Sequence, residues 1–361
     1  MTNTFTEKAH GRVNLIGEHT DYNGGWVLPT SIPQFTQVAL IPGTDKTVKI
    51  TSSADPKKGE RREFSYQLGA EKHTDTWVDY LQGGTKLLSE FCSKRGETLL
   101  GFSAHIESSI PEGSGLSSSA ALEISFLKAL RAAFKLSISD VEIAQLGQRI
   151  ENEFVGARVG IMDQMACSLA TAGEAIFLDT KALTFERIGL DLDQMDMFII
   201  NSGISHRLSA GGGYNQRRAE CEEACKMLQI KELRDISVTE LKHKDLPQLL
   251  MKRARHVVTE NARVFDAVAA IRSGDYKKLG KLFVESHASM RDDYEVSIPE
   301  IDTLVELCLK DPAVFGARLT GGGFGGSIVA IARKGEGQRV ANEVIPQYQK
   351  LTGSTATLLA H

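Results

Sequence analysis

The chain has 361 residues, 42% of them hydrophobic and 24% charged, and a formal net charge of -4. That length exceeds one hydrophobic core and predicts two packed domains, and the interspersed charges exclude a basic nucleic-acid footprint or an acidic tail. No apolar run reaches the roughly eighteen residues of a membrane span, and polar Met1–Lys8 lacks the apolar centre of a signal peptide, so a cytoplasmic protein without membrane partners is expected.

Along the chain, Thr36–Ile41 and Thr47–Thr51 read as short β-branched strands separated by a Pro42-Gly43 turn signal. Phe102, Ala104 and Ile106 alternate with polar residues, which predicts a half-buried strand ending by Pro111. Ala120–Phe134 is apolar on nearly every face and predicts a buried helix. Ser139 and Glu142 form a capping box for a second helix, with Ile143, Leu146, Ile150 and Phe154 on one stripe. Glu174–Asp179 and Met197–Ile200 read as strands. Helical periodicity then covers Tyr214–Leu228, Lys252–Ile271, Tyr276–Met290 and Pro299–Leu309, before Ser327–Ala332 reads as a buried strand. A domain boundary is expected near residue 190, giving an N-terminal domain over residues 1–190 and a C-terminal one over residues 191–361.

The five cysteines (Cys92, Cys167, Cys221, Cys225, Cys308) form no disulfide framework. Cys221 and Cys225 lie four apart on a predicted helix, but no second pair at zinc spacing accompanies them, so buried thiols in a reducing compartment are expected.

Three stretches carry chemistry. Pro111-Glu112-Gly113-Ser114-Gly115-Leu116-Ser117-Ser118-Ser119-Ala120-Ala121 joins a strand to the buried helix. Glycines let backbone N–H groups approach a phosphate, serines add hydroxyl donors, and the helix presents its positive end. A plain capped turn is the alternative. Neither G-x-x-x-x-G-K-[ST] nor the H-R-D and D-F-G pair is present, which excludes a P-loop nucleotidase and a protein kinase. Gly321-Gly322-Gly323-Phe324-Gly325-Gly326 satisfies G-x-G-x-x-G but runs into a predicted strand rather than a helix, so the dinucleotide reading fails. These glycines instead imply close backbone approach to a ligand or to a neighbouring loop.

Gly11–Tyr22 holds the cluster Glu18, His19, Asp21, where carboxylates suit sugar hydroxyls, although a solvated turn is also open. Glu151-Asn152-Glu153-Phe154-Val155-Gly156 closes the second predicted helix. Asp163 follows, flanked by Ile161, Met162, Met165 and Ala166. A carboxylate in such company either caps a helix or has a functional partner, because burying an unpaired charge is costly.

In this order the stretches resemble the sugar kinases of the GHMP superfamily, and within it the galactokinase family. Gly11–Asp21 is similar to the first family signature, Pro111–Ala121 to the phosphate loop and Gly321–Gly326 to the third motif. The similarity continues through Glu151–Gln164, Asn201–Arg218, Thr259-Glu260-Asn261-Ala262-Arg263 and Ser286–Asp293. The resemblance implies a two-domain α+β architecture with mixed sheets, packed helices and an active site at the domain interface. It implies ATP-dependent phosphorylation of galactose at the anomeric hydroxyl by a monomer acting on small molecules.

Residue by residue, the resemblance makes Asp163 the catalytic aspartate and Arg12 the stabiliser of transition-state charge. Glu18, His19, Thr20, Asp21, Gly160 and Tyr214 fall at sugar-binding positions. Gly113, Ser114, Gly115, Leu116, Ser117, Ser118 and Ser119 would cradle the ATP phosphates, with Trp77 beside the adenine. Ser119 and Glu151 match the Mg2+ ligands. Two departures stand out: His10 replaces the usual proline before Gly11-Arg12, and the N-terminal lead-in is short. A kinase for a related sugar such as N-acetylgalactosamine, and a non-catalytic galactose sensor, are the alternative functions; the intact Ser119-Ala120, Arg12 and Asp163 favour turnover.

Overall fold

The computed structural model describes residues 3–53, 62–204 and 213–360. Within them the chain forms β1 (Phe5–Asn14), β2 (Trp26–Val27), β3 (Pro29–Pro42), β4 (Thr47–Ser52) and β5 (Arg62–Gln67), then α1 (Asp79–Ser93) and β6 (Phe102–Ser108). Next come α2 (Ser118–Phe134), α3 (Asp140–Arg149) and α4 (Met162–Leu169), followed by β7 (Glu174–Asp179), β8 (Thr184–Gly189) and β9 (Met195–Asn201). The later chain is mostly helical: α5 (Gly213–Leu228), α6 (Val238–Leu241), α7 (Gln248–Arg272), α8 (Tyr276–Asp292) and α9 (Pro299–Leu309). The hairpin β10 (Val314–Thr320) and β11 (Ser327–Arg333), helix α10 (Gly337–Thr352) and β12 (Thr357–Ala360) complete it. Residues 205–212, inside the Asn201–Arg218 similarity, lie outside the described residues.

Local signals account for most of these elements. The Ser139–Glu142 capping box opens α3 with both of its hydrogen bonds in place. Pro299 starts α9 at the position where a missing N–H costs nothing. In α10, which sequence periodicity did not single out, Val340, Ala341, Val344 and Tyr348 are buried at helical spacing although Pro346 lies inside the helix.

Two compact units emerge. The first comprises residues 1–11, 32–111 and 117–169, and the second residues 12–31, 112–116 and 170–361. In the first unit β6 is central: β3 pairs with it antiparallel and β4 pairs with it parallel, while β5 extends β4 antiparallel. The Pro42-Gly43 turn therefore closes no hairpin; β3 and β4 lie on opposite sides of β6. Helix α2 is buried along most of its length, with Ala120, Ala121, Ile124, Phe126 and Leu127 inside.

In the second unit β7 pairs antiparallel with β8, with β2 and with Thr30 of β3. A separate antiparallel sheet runs in the order β10-β11-β9-β12. Strand β11 is buried over Ser327–Ala332, as its unbroken apolar run predicts for a central strand. Helices α5, α7, α9 and α10 cover it through a core containing Phe198, Cys221, Val257, Tyr294, Leu304 and Tyr348. The five cysteines are all buried and free, and no cluster of three or more His, Cys, Asp or Glu suited to a metal occurs among the described residues. No described helix is long and apolar enough to cross a membrane.

Candidate active site

In the first unit the start of α2 brings together two hydroxyls, Ser117 and Ser119, and three carboxyls, Asp163, Glu151 and Glu123. Ser117 precedes the helix in the left-handed region, at φ 60°. Its Oγ donates to Asp163 Oδ2 at 2.6 Å, from the loop to the first turn of α4. Two residues on, Ser119 Oγ donates to Glu151 Oε1 at 3.0 Å. The sequence pairs Ser119 with Glu151 only by resemblance; the geometry joins them directly.

Glu151 sits where the expected single helix departs from α-geometry. Helix α3 stops at Arg149 and Ile150–Val155 winds as a π-helical turn. A π-turn takes an extra residue per turn and re-aims the side chains that follow. Gly156, in the left-handed conformation, then closes it by donating its N–H to the Glu151 carbonyl.

Behind Glu151 lie two side chains to which sequence reasoning assigned no role. Gln164 Nε2 donates to Glu151 Oε1 at 3.2 Å and to Glu123 Oε2 at 3.3 Å. Glu123 and Gln164 are both fully buried. The available signal was Glu123 itself, one acid within the apolar run of α2. Burial, with the charge of Asp163 added and Ser119 opposing, raises Glu151 to about 7. Burial, reinforced by Glu151 and Asp163, raises Glu123 well above the carboxylate range. Like charges this close cannot all ionise cheaply.

Trp77 and Gly160 belong to the same unit. Trp77 lies in the turn before α1, where Asp79 accepts from the Thr74 N–H at 2.8 Å and from the Thr76 N–H at 3.3 Å. Gly160 is buried just ahead of α4. His10, at the position of the usual proline, lies in β1 and its Nδ1 is 2.8 Å from the Ile32 carbonyl.

In the second unit the end of β1 is tied to the loop that precedes α2. Arg12 is buried; its Nη1 donates to the Gly115 carbonyl at 2.6 Å and its N–H to the Leu116 carbonyl at 3.2 Å. The glycine-rich hairpin loop packs on the same stretch. A Cβ on Gly321, at φ +87°, would lie 2.8 Å from the Gly115 carbonyl oxygen. Ser327 Oγ donates to the Ser114 carbonyl at 2.7 Å. Close approach to the neighbouring loop is what these glycines permit, and the strand β11 that follows rules out the dinucleotide turn.

The Glu18–Asp21 turn is interior rather than solvated. Glu18 Oε1 accepts from the Gly321 N–H at 2.8 Å and from Arg318 Nη1 at 3.4 Å, and Oε2 accepts from Asn14 Nδ2 at 2.9 Å. Burial raises the Glu18 pKa, with Arg318, Arg12, Asn14 and Gly321 opposing. His19 sits at φ 61°, its Nδ1 2.9 Å from the Tyr22 hydroxyl. Its ring is 4.7 Å from that of Tyr294 and 5.6 Å from that of Tyr214. Burial, then the neighbouring His256 and Arg217, hold His19 well below its ordinary value, so the ring is neutral. Its Nε2 is buried without a hydrogen-bond partner among the described residues. Thr20 Oγ1 turns inward to the carbonyls of Gly17 and Trp26, at 2.8 and 2.7 Å. Asp21 is half-buried and opens a short 3-10 turn.

Comparison with known proteins bears on both sets. Family models match as GHMP kinases N terminal domain over residues 80–171, GHMP kinases C terminal over residues 267–350, and the galactokinase galactose-binding signature over residues 2–42. A galactokinase of Chloroflexus aggregans is 42% identical over 360 residues, 98% of this chain and 90% of that one. The chain belongs to the galactokinase family. A galactokinase of Thermotoga petrophila is 37% identical, covering 97% of this chain and 95% of its own. The Lactococcus lactis galactokinase, solved with galactose, superposes with a TM-score of 0.92 at 37% identity, over 99% of this chain and 93% of that one. Mevalonate kinase of Methanococcus jannaschii, 16% identical with a TM-score of 0.68 over 99% and 97% of the two chains, shares the fold. The α+β GHMP-kinase architecture with mixed sheets is thus the observed one, and membership of a GHMP kinase family makes ATP the phosphoryl donor.

Proposed function

We propose that the chain transfers the γ-phosphate of ATP to the anomeric hydroxyl of D-galactose, yielding galactose 1-phosphate and ADP. The observation that supports this best is the 2.6 Å bond from Ser117 to Asp163, which ties a carboxylate to the phosphate loop. Phosphoryl transfer needs positioning, charge neutralisation and a modest pull on the attacking hydroxyl. In this reading Asp163 accepts the hydroxyl proton, a role worth roughly 10²–10⁴-fold. Arg12 offsets charge developing on the transferred group, and the backbone of Gly113–Ser119 holds the phosphates.

Glu18, His19 and Asp21 bind sugar hydroxyls with Tyr214 and Gly160, and Thr20 keeps that turn folded. His19 contributes a neutral imidazole whose buried Nε2 suits a hydroxyl partner. Trp77 flanks the adenine. Ser119 and Glu151 supply hard oxygen donors only 3.0 Å apart, which fits Mg2+, a cation that takes one or two protein oxygens and fills its shell with phosphate and water. When bound, Mg2+ neutralises phosphate charge; Ser119 and Glu151 would hold it there.

The test is Asp163→Ala. ADP release with galactose should be abolished while calorimetric galactose binding persists, and undiminished turnover would remove Asp163 from the mechanism. A sugar panel run on the unaltered enzyme should favour galactose over its epimers and over N-acetylgalactosamine; the reverse order would overturn the substrate assignment.

A further inference from the structure

The Thr259–Arg263 stretch resembles the family yet takes no part in the chemistry proposed above. It lies on α7, and its buried face meets the turn that carries Glu18. Glu260 is fully buried, and its Oε1 accepts from three donors: the Gly17 N–H at 3.0 Å, the Glu18 N–H at 3.4 Å and Ser286 Oγ at 2.7 Å. Its Oε2 accepts from Arg263 Nε at 2.7 Å. One helical turn earlier, His256 Nε2 donates to the Glu18 carbonyl at 3.1 Å, and Ser289 Oγ lies 2.9 Å from the other ring nitrogen. A carbonyl can only accept, so His256 carries its proton on Nε2. Asn261 Oδ1 accepts from the Trp26 N–H at 3.0 Å, closing the far end of the turn.

The turn needs such holding. Gly17 at φ +103° and His19 at φ +61° both occupy the left-handed side of backbone space. For a histidine that conformation is uncommon and costs free energy, so it persists only where the surroundings over-determine it. A Cβ on Gly17 would lie 2.8 Å from the Trp26 carbonyl oxygen, so the chain there has no side chain of its own to pack. Both backbone polar groups of Glu18 are consequently held by α7. Burial works against the charge on Glu260, but Arg263, His256 and Arg318 hold it well below the ordinary carboxylate range. An ionised acceptor makes hydrogen bonds roughly twice as strong as a neutral one.

The geometry points to Glu260 as a positioning residue for sugar recognition: with His256 it fixes the backbone of Gly17 and Glu18 before galactose arrives. The inference rests on the reading that the Glu18–Asp21 turn binds the sugar. Two variants isolate the acceptor from the charge. Arg263→Met is combined with Glu260→Gln in one and with Glu260→Met in the other, so both lack the ion pair and only the first keeps an oxygen facing Gly17 and Glu18. Galactose affinity should be about tenfold weaker in the Glu260→Met pair than in the Glu260→Gln pair, with ATP affinity equal within about twofold. Equal galactose affinities, or ATP affinity falling in step, would overturn the proposal.

If neither variant folds, hydrogen exchange on the unaltered protein decides. Without galactose the Gly17 and Glu18 amides should exchange as slowly as the core of α7; protection appearing only when galactose is added would refute a preformed turn. Glu18→Gln separates the two ideas. Unchanged galactose binding in that variant removes Glu18 from the sugar site, whereas slow exchange at Gly17 still reports the anchor.

Discussion

Replacing Glu151 by Gln is the perturbation whose size follows most directly from the structure. Folding moves this acid from 4.5 to about 7, through burial first and the neighbouring Asp163 charge second. The folded protein therefore binds the Glu151 proton more tightly than the unfolded chain does. Below pH 4.5 both states carry the proton and the group is neutral to stability. As the pH rises from 4.5 to about 7 the native state loses stability, and above 7 the deficit is constant. At about 1.4 kcal/mol per pKa unit the full deficit is about 3 kcal/mol. Glutamine keeps the geometry, because the oxygen that accepts from Ser119 and from Gln164 is one atom, Oε1. The variant without ligands should thus match the parent protein near pH 4.5 and exceed it by about 3 kcal/mol at pH 8, measured by urea denaturation at intervals between. Turnover should fall steeply, since the charge that destabilises the empty protein is the charge proposed for Mg2+. A stability difference that does not change with pH would refute the argument, whatever its sign.

Two further outcomes are expected. Gly321→Ala would force a Cβ to 2.8 Å from the Gly115 carbonyl at a φ of +87°; denaturation should show a loss of about 1–3 kcal/mol, and unchanged stability would mean that the two loops part without cost. Galactose affinity, followed by calorimetry from pH 5.5 to 8, should show no inflection from His19, because burial keeps that ring neutral throughout; an inflection near 6.5 that His19→Gln abolishes would contradict this.

What the sequence disclosed was mostly local. The Ser139–Glu142 box, Pro299 at the head of α9 and the apolar run of β11 act through neighbours a few residues away, and each appears where the pattern puts it. The stripe through Ile150 and Phe154 is helical, as its spacing predicts, but the π-turn there is invisible to a 3.6-residue period, and it is this turn that carries Glu151. The partners of the site were hidden for a different reason. Gly17 and Glu260 are 243 positions apart, and Arg318 reaches Glu18 across 300. Glu123 and Glu260 bring the difficulty to a point. Both are acids on long helices and both are fully buried, yet burial and the neighbouring Glu151 and Asp163 push one proton on, while Arg263, His256 and Arg318 outweigh burial and pull the other off. Since an unpaired buried charge is costly and a paired one is tolerated, the two acids differ in what a window around them reveals. Arg263 and His256, each within about one helical turn of Glu260, are visible beside it, whereas Glu151 and Asp163, which keep the proton on Glu123, come from later elements that no window around Glu123 contains.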